Sequence, residues 1–314
     1  MAFSAAGTAV GRMELGDHLC LAYGHADERR AILSSYVRDG LAAGHKIVYL
    51  AEQDAHDVLP ACLRPVPACR ETLPRAARPD LAGALDDGRL VVRTVAEVAR
   101  ATGRFEPDEV LGLMATEIEL ALVQGFRGVR LTGERPLALS GGSDGARLDA
   151  ETAGRFAACE RRIGEVFGAT RTLAMILCQY DRKRFDAVLV DQAESWHRTR
   201  VRADDLYDDG TLRVAPLFGP PGLALAGALG PANRPALDRV LALLPPGAGL
   251  VCLELSGLGG CDEEGLRRAV EAGRTSGGRQ RQLLLRGVSP RLAGMLRKTG
   301  LERAPGVTIE EHAR

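Results

Sequence analysis

Five short apolar runs, each the length of a buried strand, alternate with amphipathic helical stretches through the first two thirds of the chain. They are Leu19-Cys-Leu-Ala-Tyr23, Lys46-Ile-Val-Tyr-Leu-Ala51, Arg89-Leu-Val-Val-Arg93, Gly128-Val-Arg-Leu-Thr132 and Thr172-Leu-Ala-Met-Ile-Leu-Cys178. Helical spacing runs from Asp27 to Ala42, with Gly44 as its stop, from Pro107 to Gln124, and from Asp149 to Phe167. In the last of these Phe156, Cys159, Ile163 and Val166 recur at threes and fours along one face. Strands that are apolar throughout, separated by helices, predict an α/β fold with a mostly parallel sheet covered on both faces. The proline-rich interval from Pro65 to Pro79 reads as a surface loop.

Bulk properties narrow the function classes. A length of 314 residues suits two domains. With 41 basic and 41 acidic residues, the formal charge of zero gives no pull toward nucleic acid or an anionic membrane. Arg182-Lys-Arg184 reads as solvated helix surface, and no DNA-binding signature accompanies it. No apolar run of about eighteen residues occurs, and residues 1–12 lack a secretory pattern and read as a flexible N-terminus. A cytoplasmic protein is expected. Seven scattered cysteines without a CxxC pair argue for reduced thiols rather than a disulfide framework.

In the final third, the apolar run Leu250-Val-Cys-Leu-Glu-Leu255 predicts a strand, and Gly265 to Gly273 has helical spacing. Between them Asp262 suits a helix cap, and Glu263 and Glu264 are favoured by the positive end of the helix dipole, each by roughly 0.3–1 kcal/mol. The whole stretch Glu254-Leu-Ser-Gly-Leu-Gly-Gly-Cys-Asp-Glu-Glu-Gly-Leu266 resembles the switch loop of the STAS domain of anti-sigma factor antagonists. Ser256 and Asp262 keep that motif, while Glu263 stands where the family has its phosphoacceptor serine and Glu264 replaces a second serine. The resemblance implies a partner surface at these residues, with Glu263 either imitating phosphoserine or abolishing the switch. It extends over residues 213–314. Leu223 to Leu237 resembles the first strand and helix, with Gly227-Ala-Leu-Gly230 lacking the acids usual between them. Arg281-Gln-Leu-Leu-Leu-Arg286 and the helix start Ser289-Pro290 follow.

Residues 13–212 resemble the MEDS domain, a sensory module related to the RecA/KaiC fold. The likeness rests on His18-Leu-Cys-Leu-Ala-Tyr23, Asp39-Gly-Leu-Ala-Ala-Gly-His-Lys-Ile-Val-Tyr-Leu-Ala51, Arg130-Leu-Thr-Gly-Glu134 and Cys178-Gln-Tyr-Asp-Arg-Lys-Arg-Phe185. The resemblance implies a RecA/KaiC-like sheet, yet after the first strand Tyr23-Gly-His-Ala-Asp-Glu-Arg-Arg30 lacks the phosphate-binding lysine and hydroxyl of a nucleotide loop. A different small organic ligand at the carboxyl ends of the strands is expected instead. His18, Tyr23, Glu52, Glu134, Cys178 and Tyr180 are the candidate contacts, although His18 also suits a structural histidine and Cys178 a core thiol. His18, Cys20 and Cys178 lack paired metal-ligand spacing, so neither metal nor cofactor is expected. Ser140-Gly-Gly-Ser143 is no nucleophile elbow, Trp196-His197 closes a helix, and no catalytic residues stand out.

Val201 to Pro221, ending in prolines, reads as a short stiff linker. The expectation is a non-enzymatic regulator that controls sigma-factor activity. Its partner would be an anti-sigma factor or a related kinase-like protein, with room for a homo-oligomer and no direct contact with nucleic acid or membrane. The alternative is a degenerate RecA/KaiC-type nucleotide-binding protein that uses its STAS half for assembly.

Overall fold

The alternation of apolar runs and helices recurs in the computed structural model, which describes residues 7–51, 80–94, 107–134, 150–169, 172–185, 187–245, 248–276 and 279–311. They divide into two units, one ending at Arg202 and one beginning at Ala203.

The first unit runs β1 (Thr8–Ala9), β2 (His18–Tyr23), α1 (Ala26–Ala42), β3 (Lys46–Ala51), α2 (Leu81–Asp86), β4 (Leu90–Thr94) and α3 (Pro107–Val123). It continues with β5 (Val129–Glu134), α4 (Ala150–Ala169), β6 (Ala174–Asp181), α5 (Ala187–Trp196) and β7 (Val201–Arg202). The main sheet has the order β2-β6-β5-β3-β4, and every pair in it is parallel. All of β2 is buried, as is β6 up to Tyr180, because helices cover both faces. α1 packs on β2, β3 and β5, and its Tyr36 hydroxyl donates to the carbonyl of Leu131 at 3.0 Å. Cys20, Val129, Leu131, Ile176 and Cys178 face the other way, into a core with Met114 of α3, Cys159 and Ile163 of α4, and Val190 and Ala193 of α5. Gly44, at φ +72°, adopts the left-handed turn that returns α1 into β3.

Two expectations change here. Over 1–12 a flexible segment is expected; residues 1–6 lie outside the described residues, but beyond them Thr8 N donates to Arg200 O at 2.9 Å, β1 pairs with β7, and Val10 is buried. Arg182-Lys-Arg184 forms a turn rather than a helix: Arg182 Nε donates to Ala22 O at 3.3 Å and its guanidinium pairs with Glu194. The intervals 65–79 and 140–143 lie outside the described residues.

The second unit comprises β8 (Tyr207–Asp208), β9 (Leu212–Phe218), β10 (Pro221–Leu229), α6 (Arg234–Leu241), β11 (Leu250–Cys261) and α7 (Glu263–Arg274). After the short pair β12 (Thr275–Ser276) and β13 (Arg279–Gln280) come β14 (Gln282–Val288), α8 (Pro290–Thr299) and β15 (Val307–Glu311). The sheet order is β15-β14-β11-β10-β9-β8, parallel from β15 to β10 and antiparallel beyond. Val251, Leu253 and Leu255 of β11 enter one core with Leu237 of α6, Leu266 and Val270 of α7, and Leu292 and Leu296 of α8. Ser289 caps α8 by accepting from Leu292 N at 3.4 Å, and Gly300 ends the helix at φ +71°.

The predicted linker is largely sheet. Leu212 and Val214 are buried apolar residues spaced by two, and β9 pairs with β10 so that Pro216 faces Leu223. The expected switch loop after Leu255 is also strand, since β11 runs on beside β10 to Cys261, with two irregularities in register. Gly227 belongs to that pairing rather than to a loop. Its φ is +94°, and a Cβ there would lie 2.1 Å from Thr211 O, so only glycine fits.

Candidate functional site

Side chains alternate along a strand, so the candidate ligand residues of the first unit divide between the two faces of its sheet. Leu19, Leu21 and Tyr23 share the α1 side of β2, whereas His18, Cys20 and Ala22 share the other. Gln179 likewise points away from its neighbours Cys178 and Tyr180.

On the α1 side the organiser is Arg29, in the second turn of α1, which points back over the carboxyl ends of the strands. Its Nε donates to Gln179 Oε1 at 2.9 Å and its Nη2 to Tyr49 Oη at 2.6 Å, and it forms an ion pair with Glu134. Tyr49 Oη donates to Glu134 Oε1 at 2.9 Å, and Gln179 Nε2 to Thr132 Oγ1 at 2.8 Å. The guanidinium also lies 5.4 Å from the centroid of the Tyr23 ring. Burial pushes the Tyr23 phenol well above its ordinary pKa, against the opposing pull of Arg29. Beside this network Tyr23, Gly24, Ala26, Arg29, Arg30, Asp181 and Lys183 line a cleft of about 290 Å³. Of the candidate contacts, Tyr23 and Glu134 both meet Arg29 on this side; Glu52 lies outside the described residues.

On the opposite side His18, Cys178 and Tyr180 meet Glu160 of α4 and His197, just past α5. His18 Nε2 is 3.2 Å from Glu160 Oε2 and 3.4 Å from Cys178 Sγ. Cys178 Sγ is 3.7 Å, and His197 Nε2 3.5 Å, from the same carboxylate oxygen. Tyr180 Oη donates to Glu160 Oε1 at 2.8 Å, and all five side chains are buried. Cys20 stands apart from this cluster, its thiol pushed up by burial, with Glu194 and Glu160 adding to the shift. His197 had been legible only as a helix end. Glu160 was missed, although Glu160, Ile163 and Phe167 continue the apolar spacing of α4 and a carboxylate within such a stripe must find partners.

Comparison with family models matches residues 17–198 to "MEDS: MEthanogen/methylotroph, DcmR Sensory domain". The chain belongs to the MEDS family. Its MEDS domain is followed by a match of residues 213–309 to "Mlab, STAS domain", so the expected fusion of MEDS and STAS domains, both α/β, is present in that order. Together the two domains make this a signalling and regulatory chain. No curated protein matched it. Among solved structures, the flagellar accessory protein FlaH from Methanocaldococcus jannaschii aligns at 10% identity over 65% of this chain and 78% of that one. Its TM-score is 0.35. Among the described residues no helix is long and apolar enough to cross a membrane.

In the STAS domain the four regulatory candidates lie at two ends of the continuation of β11. Ser256 is exposed, and its backbone N–H donates to Glu254 Oε1 at 3.0 Å. Asp262 caps α7 as expected, accepting from Gly265 N at 2.7 Å, and pairs with Arg234. That hydrogen bond to Arg234, against the cost of desolvation, holds its carboxyl below the usual range. Glu263 is exposed and pairs with Lys298 of α8. Glu264 is gripped by Arg267 and Arg268, whose hydrogen bonds bring its pKa down to about 2.

Proposed function

We propose that the MEDS domain senses a small organic molecule and that the STAS domain relays the result by binding an anti-sigma factor or a related kinase-like protein, so setting sigma-factor activity. The observation that carries this reading is Glu263, exposed in the first turn of α7 immediately after the capping Asp262. STAS relatives have the phosphoacceptor serine at this place. A carboxylate supplies about one negative charge there, where phosphoserine supplies about 1.5–2. Its ion pair with Lys298 supports a standing charge at that position. The cleft beside Tyr23 supports the sensing half, because an aromatic wall with Arg29, Lys183 and Asp181 suits a small ligand that carries a polar group.

On this reading the cleft serves for binding rather than catalysis, in keeping with the ion pair that already engages Arg29 with Glu134. A cytoplasmic setting agrees with the buried cysteines Cys20, Cys159, Cys178, Cys252 and Cys261, which form no disulfide among the described residues. Pull-down from the native cell with wild type and Glu263→Ser tests the partner reading. Gain of a partner by the serine variant alone supports a standing mimic of phosphoserine. If the variant instead becomes phosphorylated and loses a partner that wild type holds, Glu263 only fixes the unmodified state. Calorimetric titration with ATP and magnesium tests the sensor, and tight binding would replace the organic-ligand reading with a nucleotide-binding one.

A further inference from the structure

We propose that His18, Glu160, Cys178 and His197 form a closed four-coordinate site for a divalent transition-metal ion, with zinc(II) the first candidate. The donors come from four separate places: β2, α4, β6 and the residue following α5. One donor atom from each lies within 4.8 Å of all the others, although the residues are spread over 180 positions of sequence. Zinc binds nitrogen or oxygen at about 2.0–2.2 Å and thiolate at about 2.3 Å, so tetrahedral ligands stand roughly 3.3–3.8 Å apart. Of the six separations among these donors, His18–Glu160, His18–Cys178, His197–Glu160 and Cys178–Glu160 are 3.2, 3.4, 3.5 and 3.7 Å, and all six are within 4.8 Å.

Proton placement points the same way. His197 Nδ1 lies 2.6 Å from the carbonyl of Ala193, which can only accept, so Nδ1 carries the hydrogen. In the neutral ring Nε2 then turns a lone pair toward Glu160 Oε2. Two facing lone pairs repel unless a cation lies between them, either a proton on the ring or a metal ion. The Ala193 and Tyr180 contacts are the outer hydrogen bonds that usually orient metal-ligating histidine and carboxylate. One thiolate and one carboxylate would neutralise a dication, which suits a site from which water is excluded. Imidazole and thiolate donors favour zinc-like ions over magnesium or calcium. A metal here would tie α4 and the end of α5 to β2 and β6.

The proposal does not rest on the ligand or partner assigned above, and its failure would leave those readings standing. The test uses the full chain, stripped with chelator and reloaded with zinc(II) or cobalt(II). About one equivalent should bind per chain, and the cobalt form should show a thiolate-to-cobalt charge-transfer band. Cys178→Ser should abolish that band, and His18→Ala with His197→Ala should cut occupancy to about a tenth or less. X-ray absorption of the zinc-loaded wild type needs no variant to fold, and should give one sulfur and three nitrogen or oxygen neighbours. The proposal is overturned if reloaded wild type holds less than about a tenth of an equivalent, if Cys178→Ser keeps the charge-transfer band, or if the zinc shell contains no sulfur or several.

Discussion

Arg286 Nε lies 2.7 Å from Glu254 Oε2, joining residues that stand directly opposite each other on the parallel strands β14 and β11. Glu254 is almost fully buried, and its other oxygen accepts from Ser256 N. Burial alone would raise its pKa, but the Arg286 and Ser256 hydrogen bonds prevail and lower it. A depressed folded-state pKa contributes stability above the unfolded value, and that contribution is lost as pH falls through the folded value. Glu254→Gln should therefore lower stability at neutral pH and flatten the acid limb of unfolding below the ordinary glutamate pKa. Denaturant midpoints of the full chain across acid pH check this, and an unchanged acid limb would contradict it.

Gly287 stands over the same pair. At φ +68°, a Cβ would lie 2.3 Å from Glu254 Oε1 and 2.7 Å from Ser256 Cβ. Gly287→Ala should cost about 1–3 kcal/mol through left-handed strain and displacement of the carboxylate. Combined with Glu254→Gln, the two losses should sum to more than the double variant shows, because both act on one contact. Equilibrium unfolding of the singles and the double measures the coupling.

Arg29 supports the carboxyl ends of the MEDS sheet. Arg29→Ala leaves the half-buried Glu134 without its cation and Gln179 without its donor, at about 2–4 kcal/mol. Arg29→Lys should recover less than half of that, since an ammonium cannot span Gln179, Tyr49 and Glu134 in the fork that a guanidinium offers. Thermal unfolding of both variants separates charge from geometry, and full rescue by lysine would refute the geometric reading.

Asp262 combines helix capping with the Arg234 ion pair. Asp262→Ala should destabilise by about 0.5–2 kcal/mol, and Asp262→Ser by less, because serine retains the cap. Equal losses from the two would assign the effect to Arg234 alone.

Strands and helices were legible wherever period and length agreed, as at Lys46–Ala51 and at Ser289-Pro290, where a cap and a proline coincide. The misread segments of the second unit, unlike the basic turn at Arg182–Arg184 in the first, were proline- and glycine-rich. Pro216 lies in the ladder between β9 and β10, and Gly257, Gly259 and Gly260 continue β11, because neighbouring strands supply pairing that local propensity opposes. Of the candidate ligand contacts, Tyr23 and Glu134 share one site while His18, Cys178 and Tyr180 share another. Strand ends were legible from sequence, but not which distant helix delivers Arg29 or Glu160 to each side.

Cys178 and Gln179 hang from successive units of one backbone, one reaching toward Glu160 and the other toward Arg29. β6 therefore contributes one residue to each of the two polar networks. If a ligand bound at either network shifted this strand, the other network would feel it, and by reciprocity the coupling would run equally in both directions.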